Sequence, residues 1–181
     1  VLRDSQMYRG LGDVYKRQDS ERTMCTFLGT AGKINKNDLD VDAIKESDLI
    51  FLEGYLWDEG DPKKAFEKAI NLSNKTAMSL SDKFCVDRHK SNFLDLVKNK
   101  LDLIFANEAE IMSLIDAKKF DEVILFGKLI KKHLIITRGG KGAVSINNNE
   151  IVEIDAKKDL NIVDLTGCLL YTSDAADEWL R

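Results

Sequence analysis

Proline is nearly absent from this sequence. Pro62 is the only proline among the 181 residues, and this scarcity favours helices and strands over a fold rich in loops. Cysteine is also scarce: Cys25, Cys85 and Cys168 form neither a CxxC pair nor an even-numbered set. The sequence therefore excludes a disulfide framework and a paired zinc site, and it indicates a reducing, cytoplasmic setting.

Long apolar runs and an excess of positive charge are missing as well. No stretch approaches the roughly 20 apolar residues that span a bilayer, and the first residues lack the apolar core of a signal peptide. The formal net charge is -4, and the basic residues are scattered among carboxylates instead of forming a stripe. We therefore expect neither a membrane nor a nucleic acid among the partners. The 44% hydrophobic content fits one domain with a sizeable core.

The two ends of the chain differ from its middle. Residues 1–18 and 168–181 show neither helical nor strand periodicity, and both resemble translated read-through of sequencing adapters. The alternative is a disordered tail at each end, which composition alone does not exclude. We predict a folded part over residues 19–167, with both flanks outside its core.

Residues 19–167 alternate between strand and helix patterns. Strands are predicted at 22–29, 49–52, 76–80, 101–106, 133–137 and 161–164, and a hairpin at 143–146 and 151–154. Helices are predicted at 37–46, from Pro62 onward, and at 88–99, 108–114 and 121–130. The apolar run at 49–52 is typical of a strand covered on both faces. Repeated strand–helix–strand units of this length predict an α/β fold, in which a mostly parallel sheet carries helices on both faces.

Polar or glycine-rich residues follow three of the predicted strands, at the strand ends where open α/β sheets bind their ligands. In the first segment, Asn107 and Glu110 have the spacing of a capping box at a helix start. The same spacing also fits a carboxylate held near a hydrated magnesium ion. The two interpretations are compatible, because a capped helix holds its glutamate in place.

The second segment, residues 137–142, offers backbone amides that no side chain obstructs, which suits a phosphate or a nucleotide. A simple turn is the alternative, and the segment matches neither a Walker A loop nor the dinucleotide fingerprint. The third segment, residues 164–167, would aim free amides at a transferring phosphate if a helix followed it. The next residues, Cys168, Leu169 and Leu170, supply no acid or base.

Taken in order, these segments resemble the PfkB family of ribokinase-like kinases, and most of all its adenosine-kinase-like bacterial members. Six stretches carry the resemblance in family order and spacing: 21–29 (ERTMCTFLG), 52–58 (LEGYLWD), 79–89 (SLSDKFCVDRH), 105–110 (FANEAE), 137–143 (TRGGKGA) and 163–167 (VDLTG). Any one of them is weakly specific, whereas the ordered set is strongly specific. The resemblance covers residues 19–167, which correspond to around the middle half of a full-length member.

The resemblance implies a ribokinase-like three-layer αβα fold, present here as a partial domain, and ATP-dependent phosphorylation of a sugar or nucleoside hydroxyl. The implied cofactors are ATP and Mg²⁺, with a monovalent cation as a further candidate. Three groups of residues match family motifs. Asn107 and Glu110 match the motif that holds Mg²⁺ through water, and Thr137, Gly139 and Gly142 match the motif that borders the ATP site. Asp164, Thr166 and Gly167 match the motif that forms the anion hole.

The last of these motifs is incomplete. In the family it continues to the aspartate that acts as general base, whereas here Leu165 replaces the usual threonine and the match stops after Gly167. The resemblance therefore implies a truncated, inactive fragment of a kinase. The alternatives are a non-catalytic nucleotide-binding α/β domain or pseudokinase remnant, and an α/β interaction protein whose glycines are only turns. Sugars and nucleosides both stay open as the acceptor.

Overall fold

The computed structural model describes residues 11–16, 22–26, 29–57 and 61–158. The chain divides into two compact units, one formed by Val1–Gly29 with Lys158–Arg181 and the other by Thr30–Lys157. The strand predicted at 161–164, the flank at 168–181 and the candidate residues Asp164, Thr166 and Gly167 lie outside the described residues.

The described part of the first unit is an antiparallel hairpin. Strand β1 (Leu11–Lys16) pairs with strand β2 (Arg22–Thr26), and Lys16 lies opposite Arg22. Strand β2 confirms the first part of the strand predicted at 22–29. Strand β1 lies in the flank where the sequence shows no strand periodicity. Its pairing shifts register between Leu11 and Val14, and such an irregularity breaks the period-two pattern by which a strand is recognised.

The second unit alternates helices and strands, as the sequence predicts. Its helices are α1 (Val41–Glu46), α2 (Pro62–Leu72), α3 (Lys83–Asn99), α4 (Glu108–Leu114) and α5 (Phe120–Ile130). Its strands are β3 (Ile50–Glu53), β4 (Thr76–Ser79), β5 (Leu103–Asn107), β6 (His133–Thr137), β7 (Ala143–Asn147) and β8 (Glu150–Ile154). None of the helices in the described part of the chain is long and apolar enough to cross a membrane.

Aspartate caps set two helix starts that differ from the prediction. Helix α1 begins at Val41 because Asp40 accepts a hydrogen bond from the amide of Ala43 at 3.0 Å. Helix α3 begins at Lys83, well before the predicted residue 88, because Asp82 accepts from the amide of Cys85 at 2.6 Å. The apolar pattern is least regular at helix ends, so the capping residue locates a helix start more accurately than the pattern does.

In the described residues of the second unit, six strands form one sheet in the order β3-β4-β5-β6-β7-β8. Strands β3 to β6 are parallel, whereas β7 and β8 are antiparallel to their neighbours. In the turn between β7 and β8, Asn148 has a positive φ of 55°, which tight hairpin turns require and asparagine tolerates. The predicted α/β class with a mostly parallel sheet is confirmed.

A continuous row of buried side chains crosses this sheet. Met78, Ile104, Leu134 and Ile146 are neighbours on strands β4 to β7, and each is at most 1% exposed. Phe93 of helix α3 is fully buried in the same core. Burying a side chain of this size contributes roughly 1.5–3 kcal/mol, so the row fixes the positions of the central strands relative to one another.

The apolar run that forms β3 differs from the prediction. Strand β3 is an edge strand of the described sheet, its residues alternate between half-buried and exposed, and the side chain of Phe51 is 51% exposed. An apolar run is buried on both faces only when other elements pack against both. The prediction of a strand covered on both faces was therefore wrong at Phe51 in the described part of the molecule.

We predict that replacing Phe93 by alanine lowers the free energy of unfolding by about 3–5 kcal/mol, because the fully buried ring would leave a cavity. Urea denaturation followed by circular dichroism measures the change. Phe84→Ala on the same helix is the control, because Phe84 is 74% exposed and its loss should change the free energy by less than about 0.5 kcal/mol. Equal losses in the two variants would contradict the core position of Phe93.

Candidate functional site

The carboxyl ends of the parallel strands lie at one edge of the sheet and bring polar residues together. Strand β3 ends at Glu53, β4 at Ser79, β5 at Asn107 and β6 at Thr137. Asn107 and Thr137 are direct partners in the register of β5 and β6. Two motifs that stand far apart in the sequence therefore lie side by side in the structure.

The capping box predicted from Asn107 and Glu110 is confirmed. The amide of Glu110 donates to Asn107 Oδ1 at 2.8 Å, and the amide of Asn107 donates to Glu110 Oε2 at 2.9 Å. The side-chain amide of Asn107 also donates to Glu110 Oε1 at 2.6 Å. Both carboxylate oxygens of Glu110 thus accept a hydrogen bond, and the first turn of α4 is held against the end of β5.

Glu110 is a carboxylate held in a buried position, since the residue is only 4% exposed. Burial raises the pKa of Glu110 above its usual range, and the nearby charges of Asp82 and Glu53 raise it further, whereas the hydrogen bond from the Asn107 backbone lowers it. The group is therefore an electrostatic cost to the folded chain that a nearby cation would relieve.

The loop that follows β6 combines a tight turn with an open surface. The amides of Arg138, Lys141 and Gly142 all donate to carbonyls within the loop, at 2.8, 3.1 and 2.9 Å. The amides of Gly139 and Gly140 are donors in none of these three hydrogen bonds. A Cβ atom built on either of these two glycines would meet nothing within 4 Å. The backbone of this part of the loop is therefore open to close approach.

Gly142 is required for a different reason. Its φ is 88°, and a Cβ atom there would lie 1.9 Å from the carbonyl oxygen of Ile154 and 2.7 Å from the amide nitrogen of Ala156. The backbone after β8 therefore packs directly on Gly142, which leaves no room for a side chain. Gly142 fixes the end of the loop, whereas Gly139, with a φ of 56°, forms its turn.

An ion-pair cluster joins this loop to helix α4. Arg138 Nε lies 3.1 Å from Glu108 Oε2, and Lys141 Nζ lies 3.4 Å from Glu108 Oε1. Hydrogen bonding from Arg138 is the main cause that holds the pKa of Glu108 below its usual range. These three residues were not predicted as site residues from the sequence. Their only available signal was the position of each next to a predicted site residue at the end of a parallel strand.

A second network, also missed from the sequence, joins the ends of β3 and β4. Ser81 Oγ donates to Glu53 Oε2 at 3.0 Å and accepts from the amide of Tyr55 at 3.2 Å. Ser81 has a φ of 70°, which is strained for a residue other than glycine. Burial, followed by the charge of Asp82 and a hydrogen bond with it, raises the pKa of Tyr55 to about 12. This tyrosine therefore stays protonated at neutral pH.

The donor set at this edge fits a hydrated magnesium ion better than one bound directly by protein. No group of three or more His, Cys, Asp or Glu residues in the described ranges could hold a metal ion. Glu110 supplies one buried carboxylate whose oxygens already accept hydrogen bonds from Asn107. Because Mg²⁺ keeps several waters and takes further ligands from phosphates, contact through water is the mode that these residues allow.

The described structure brings one part of the predicted site together. Asn107 and Glu110 lie at the start of α4, and the loop with Thr137, Gly139 and Gly142 begins at the neighbouring strand end. The predicted anion-hole residues lie outside the described residues, and their position stays a prediction.

Comparison with protein families gives a match along most of the chain. The family described as pfkB family carbohydrate kinase matches residues 13–168. The match begins inside the flank that we placed at residues 1–18, and the boundaries of both flanks stay predictions. No curated protein sequence matches the chain.

Solved structures share the fold. Adenosine kinase from Sinorhizobium meliloti is 33% identical with a TM-score of 0.80, and the alignment covers 85% of this chain and 49% of that protein. A probable sugar kinase from Rhizobium etli CFN 42 is 31% identical with a TM-score of 0.80, covering 85% and 48%. A structure from E. coli assigned to ribokinase II, in complex with ATP and Mg²⁺, is 17% identical with a TM-score of 0.70, covering 87% and 57%. The ribokinase-like fold is therefore confirmed, and the chain spans about half the length of the first two proteins.

The raised pKa of Glu110 predicts a pH-dependent penalty on stability. The folded chain keeps this proton to a higher pH than the unfolded chain does, so wild type should lose stability relative to Glu110→Gln as the pH rises from about 4. Urea denaturation of both proteins at a series of pH values measures the difference in the free energy of unfolding.

Glu108→Gln is the matched control, because the pKa of Glu108 is lowered instead of raised. Against this variant, wild type should gain stability as the pH rises towards about 4 and keep that gain above it, since a lowered pKa favours the charged folded state up to the pKa of the unfolded chain. A difference between wild type and Glu110→Gln that stays constant with pH would show that Glu110 does not titrate as its burial requires.

Gly142→Ala should destabilise the chain, because the strained φ alone costs about 1–3 kcal/mol and the clash with Ile154 adds to it. Gly140→Ala is the control: Gly140 has no positive φ, and an added Cβ meets nothing within 4 Å. Urea denaturation of the two variants should therefore separate them clearly, and a Gly142→Ala protein as stable as wild type would rule out the close backbone approach.

Proposed function

The chain belongs to the pfkB family of carbohydrate kinases, and from that premise we propose that it is part of an enzyme that transfers the γ-phosphoryl group of ATP to a hydroxyl of a sugar or nucleoside. The observation that carries the proposal is the register of β5 and β6, which sets Asn107 beside Thr137. Two family motifs, one for the metal and one for the nucleotide, therefore lie side by side at the carboxyl ends of these strands.

The chemistry of the described residues supports a division of roles at this edge. Thr137, Gly139 and Gly142 border the nucleotide, where the open loop lets phosphates or the adenosine moiety approach the backbone. Asn107 and Glu110 orient the waters of a magnesium ion. When bound, Mg²⁺ would neutralise charge on the phosphates, and these residues position the nucleotide without forming a covalent bond to it.

A nucleoside is the acceptor that we favour. The 33% identical relative from Sinorhizobium meliloti is an adenosine kinase, which supports adenosine or a related nucleoside. The 31% identical protein from Rhizobium etli CFN 42 is described as a sugar kinase, so a sugar is the second candidate. Shared fold does not decide between them, because acceptor specificity depends on the residues of the site.

Phosphoryl transfer also needs a general base, and we propose that this chain lacks one. The family signature that begins at Asp164 should continue to an aspartate shortly after Gly167, and Cys168, Leu169 and Leu170 stand there instead. The two leucine side chains carry no titratable group, and the thiol of Cys168 is not the carboxylate that the family signature supplies. The same observation favours the second candidate function, a non-catalytic nucleotide-binding domain or pseudokinase remnant.

Nucleotide titrations followed by NMR test the proposed binding site. Adding ATP with Mg²⁺ should shift the amide resonances of Gly139, Gly140 and Gly142, and chelating the metal should weaken the effect. Glu110→Gln should reduce the dependence on Mg²⁺, because it removes the charge that orients the metal's waters. Repeating the titration in K⁺ and Na⁺ tests the further proposal of a monovalent cation. Resonance shifts confined to other parts of the chain, or none, would favour an interaction protein whose glycines form only turns.

Two measurements test the proposed inactivity of this chain and separate a kinase parent from the non-catalytic alternative. This chain should transfer no labelled phosphate from ATP to adenosine or ribose, and turnover would refute its proposed inactivity. The source DNA should be sequenced in both directions across codon 167. Ala-Gly-Asp after Gly167 would support the kinase, whereas a genuine Cys168-Leu169-Leu170 would support the non-catalytic domain.

A further inference from the structure

Arg138 lies in the glycine loop, which comprises residues 137–142, but its side chain contacts residues outside this loop. Nε lies 3.1 Å from Glu108 Oε2 and Nη2 lies 3.5 Å from Glu108 Oε1, so the guanidinium faces both oxygens of the carboxylate. Its central carbon lies 3.6 Å from the ring centre of Phe120, close enough for a cation–π contact. One side chain therefore connects the end of β6 with the first residues of both α4 and α5.

Because it is partly buried, this ion pair should stabilise the structure more than an ordinary surface ion pair does. The side chains of Arg138 and Glu108 are 16% and 25% exposed, whereas Lys141, the second partner of Glu108, is 65% exposed. Solvent and salt screen a partly buried pair much less than an exposed one. The planar guanidinium can also stack on Phe120 while it binds Glu108, which an ammonium group cannot do.

The backbone of Arg138 also holds the loop closed. Its amide donates to the carbonyl of Gly142 at 2.8 Å, and its carbonyl accepts from the amide of Lys141 at 3.1 Å. Glu108 follows directly after Asn107, the residue that caps α4 and binds Glu110. The side chain of Arg138 thus ties the loop to the same helix start that carries Asn107 and Glu110.

We propose that Arg138 is a positioning residue that holds the glycine loop at residues 137–142 against the start of α4, so that the nucleotide-binding and metal-binding parts of the site keep a fixed separation. This proposal rests on the proposed function for its consequence in nucleotide binding. Its structural consequence, the order of the loop, can be measured without a nucleotide.

The test uses the complete 181-residue chain labelled with ¹⁵N. In Arg138→Ala the heteronuclear NOE of the Gly139 and Gly140 amides should fall, and the affinity for MgATP should fall about tenfold, in proportion to the loss of a charge-assisted hydrogen bond. Arg138→Lys should recover part of both quantities, because it keeps the charge but loses the planar fork. Circular dichroism checks that each variant keeps the wild-type secondary structure.

Lys90→Ala is the matched control. It removes a cation from another ion pair, with Asp116 at 2.5 Å, that lies outside the loop. It should leave the loop NOE and the MgATP affinity at their wild-type values. Equal losses in Lys90→Ala and Arg138→Ala would overturn the proposal, because the effect would then be a general loss of stability.

Two further outcomes would also overturn it. A loop as rigid in Arg138→Ala as in wild type would show that the ion pair does not hold it. A loosened loop with unchanged MgATP affinity would show that its position does not matter to the nucleotide. Failure of wild type to bind MgATP would instead overturn the proposed function and, with it, the role of Arg138 in nucleotide binding, while the NOE comparison would still decide whether Arg138 orders the loop.

Discussion

The hydrogen bonds between Asn107 and the buried carboxylate of Glu110 set the geometry on which the candidate site depends. A carboxylate that is 4% exposed is costly to keep charged, and its pKa is raised for that reason. Asn107 offsets part of this cost with donors from its backbone and from its side chain. Because Asn107 is also the last residue of β5, the cap fixes the direction in which α4 leaves the sheet.

The register of the parallel strands extends this local geometry across the sheet. Asn107 is paired with Thr137, and the buried row through Ile104 and Leu134 holds the two strands in that register. A slip of one residue would turn these side chains to the opposite face and would also separate the two motifs. The packing that holds the core in register therefore also fixes the position of the site.

The sequence predicted the elements that depend on local patterns. The capping box of Asn107 and Glu110 is an i, i+3 contact, and the strands of the second unit follow apolar runs, so both could be predicted. Strand β1 was missed because its irregular pairing breaks the alternation, and the exposure of Phe51 was missed because an apolar run does not reveal what packs against it. The strained turn at Ser81 had no local signal either.

The two parts of the candidate site are held in physically different ways. The cap at Glu110 is made by neighbours in the sequence and can form as soon as the first turn of α4 forms. The glycine loop instead depends on Glu108, which is far from Arg138 in the sequence, and on the backbone at Ile154, which packs on Gly142. Contacts of this second kind exist only once the sheet is assembled, which is why sequence patterns did not indicate them. Substitutions elsewhere in the sheet should therefore change the structure of the loop more than that of the cap, because several long-range contacts together determine the position of the loop.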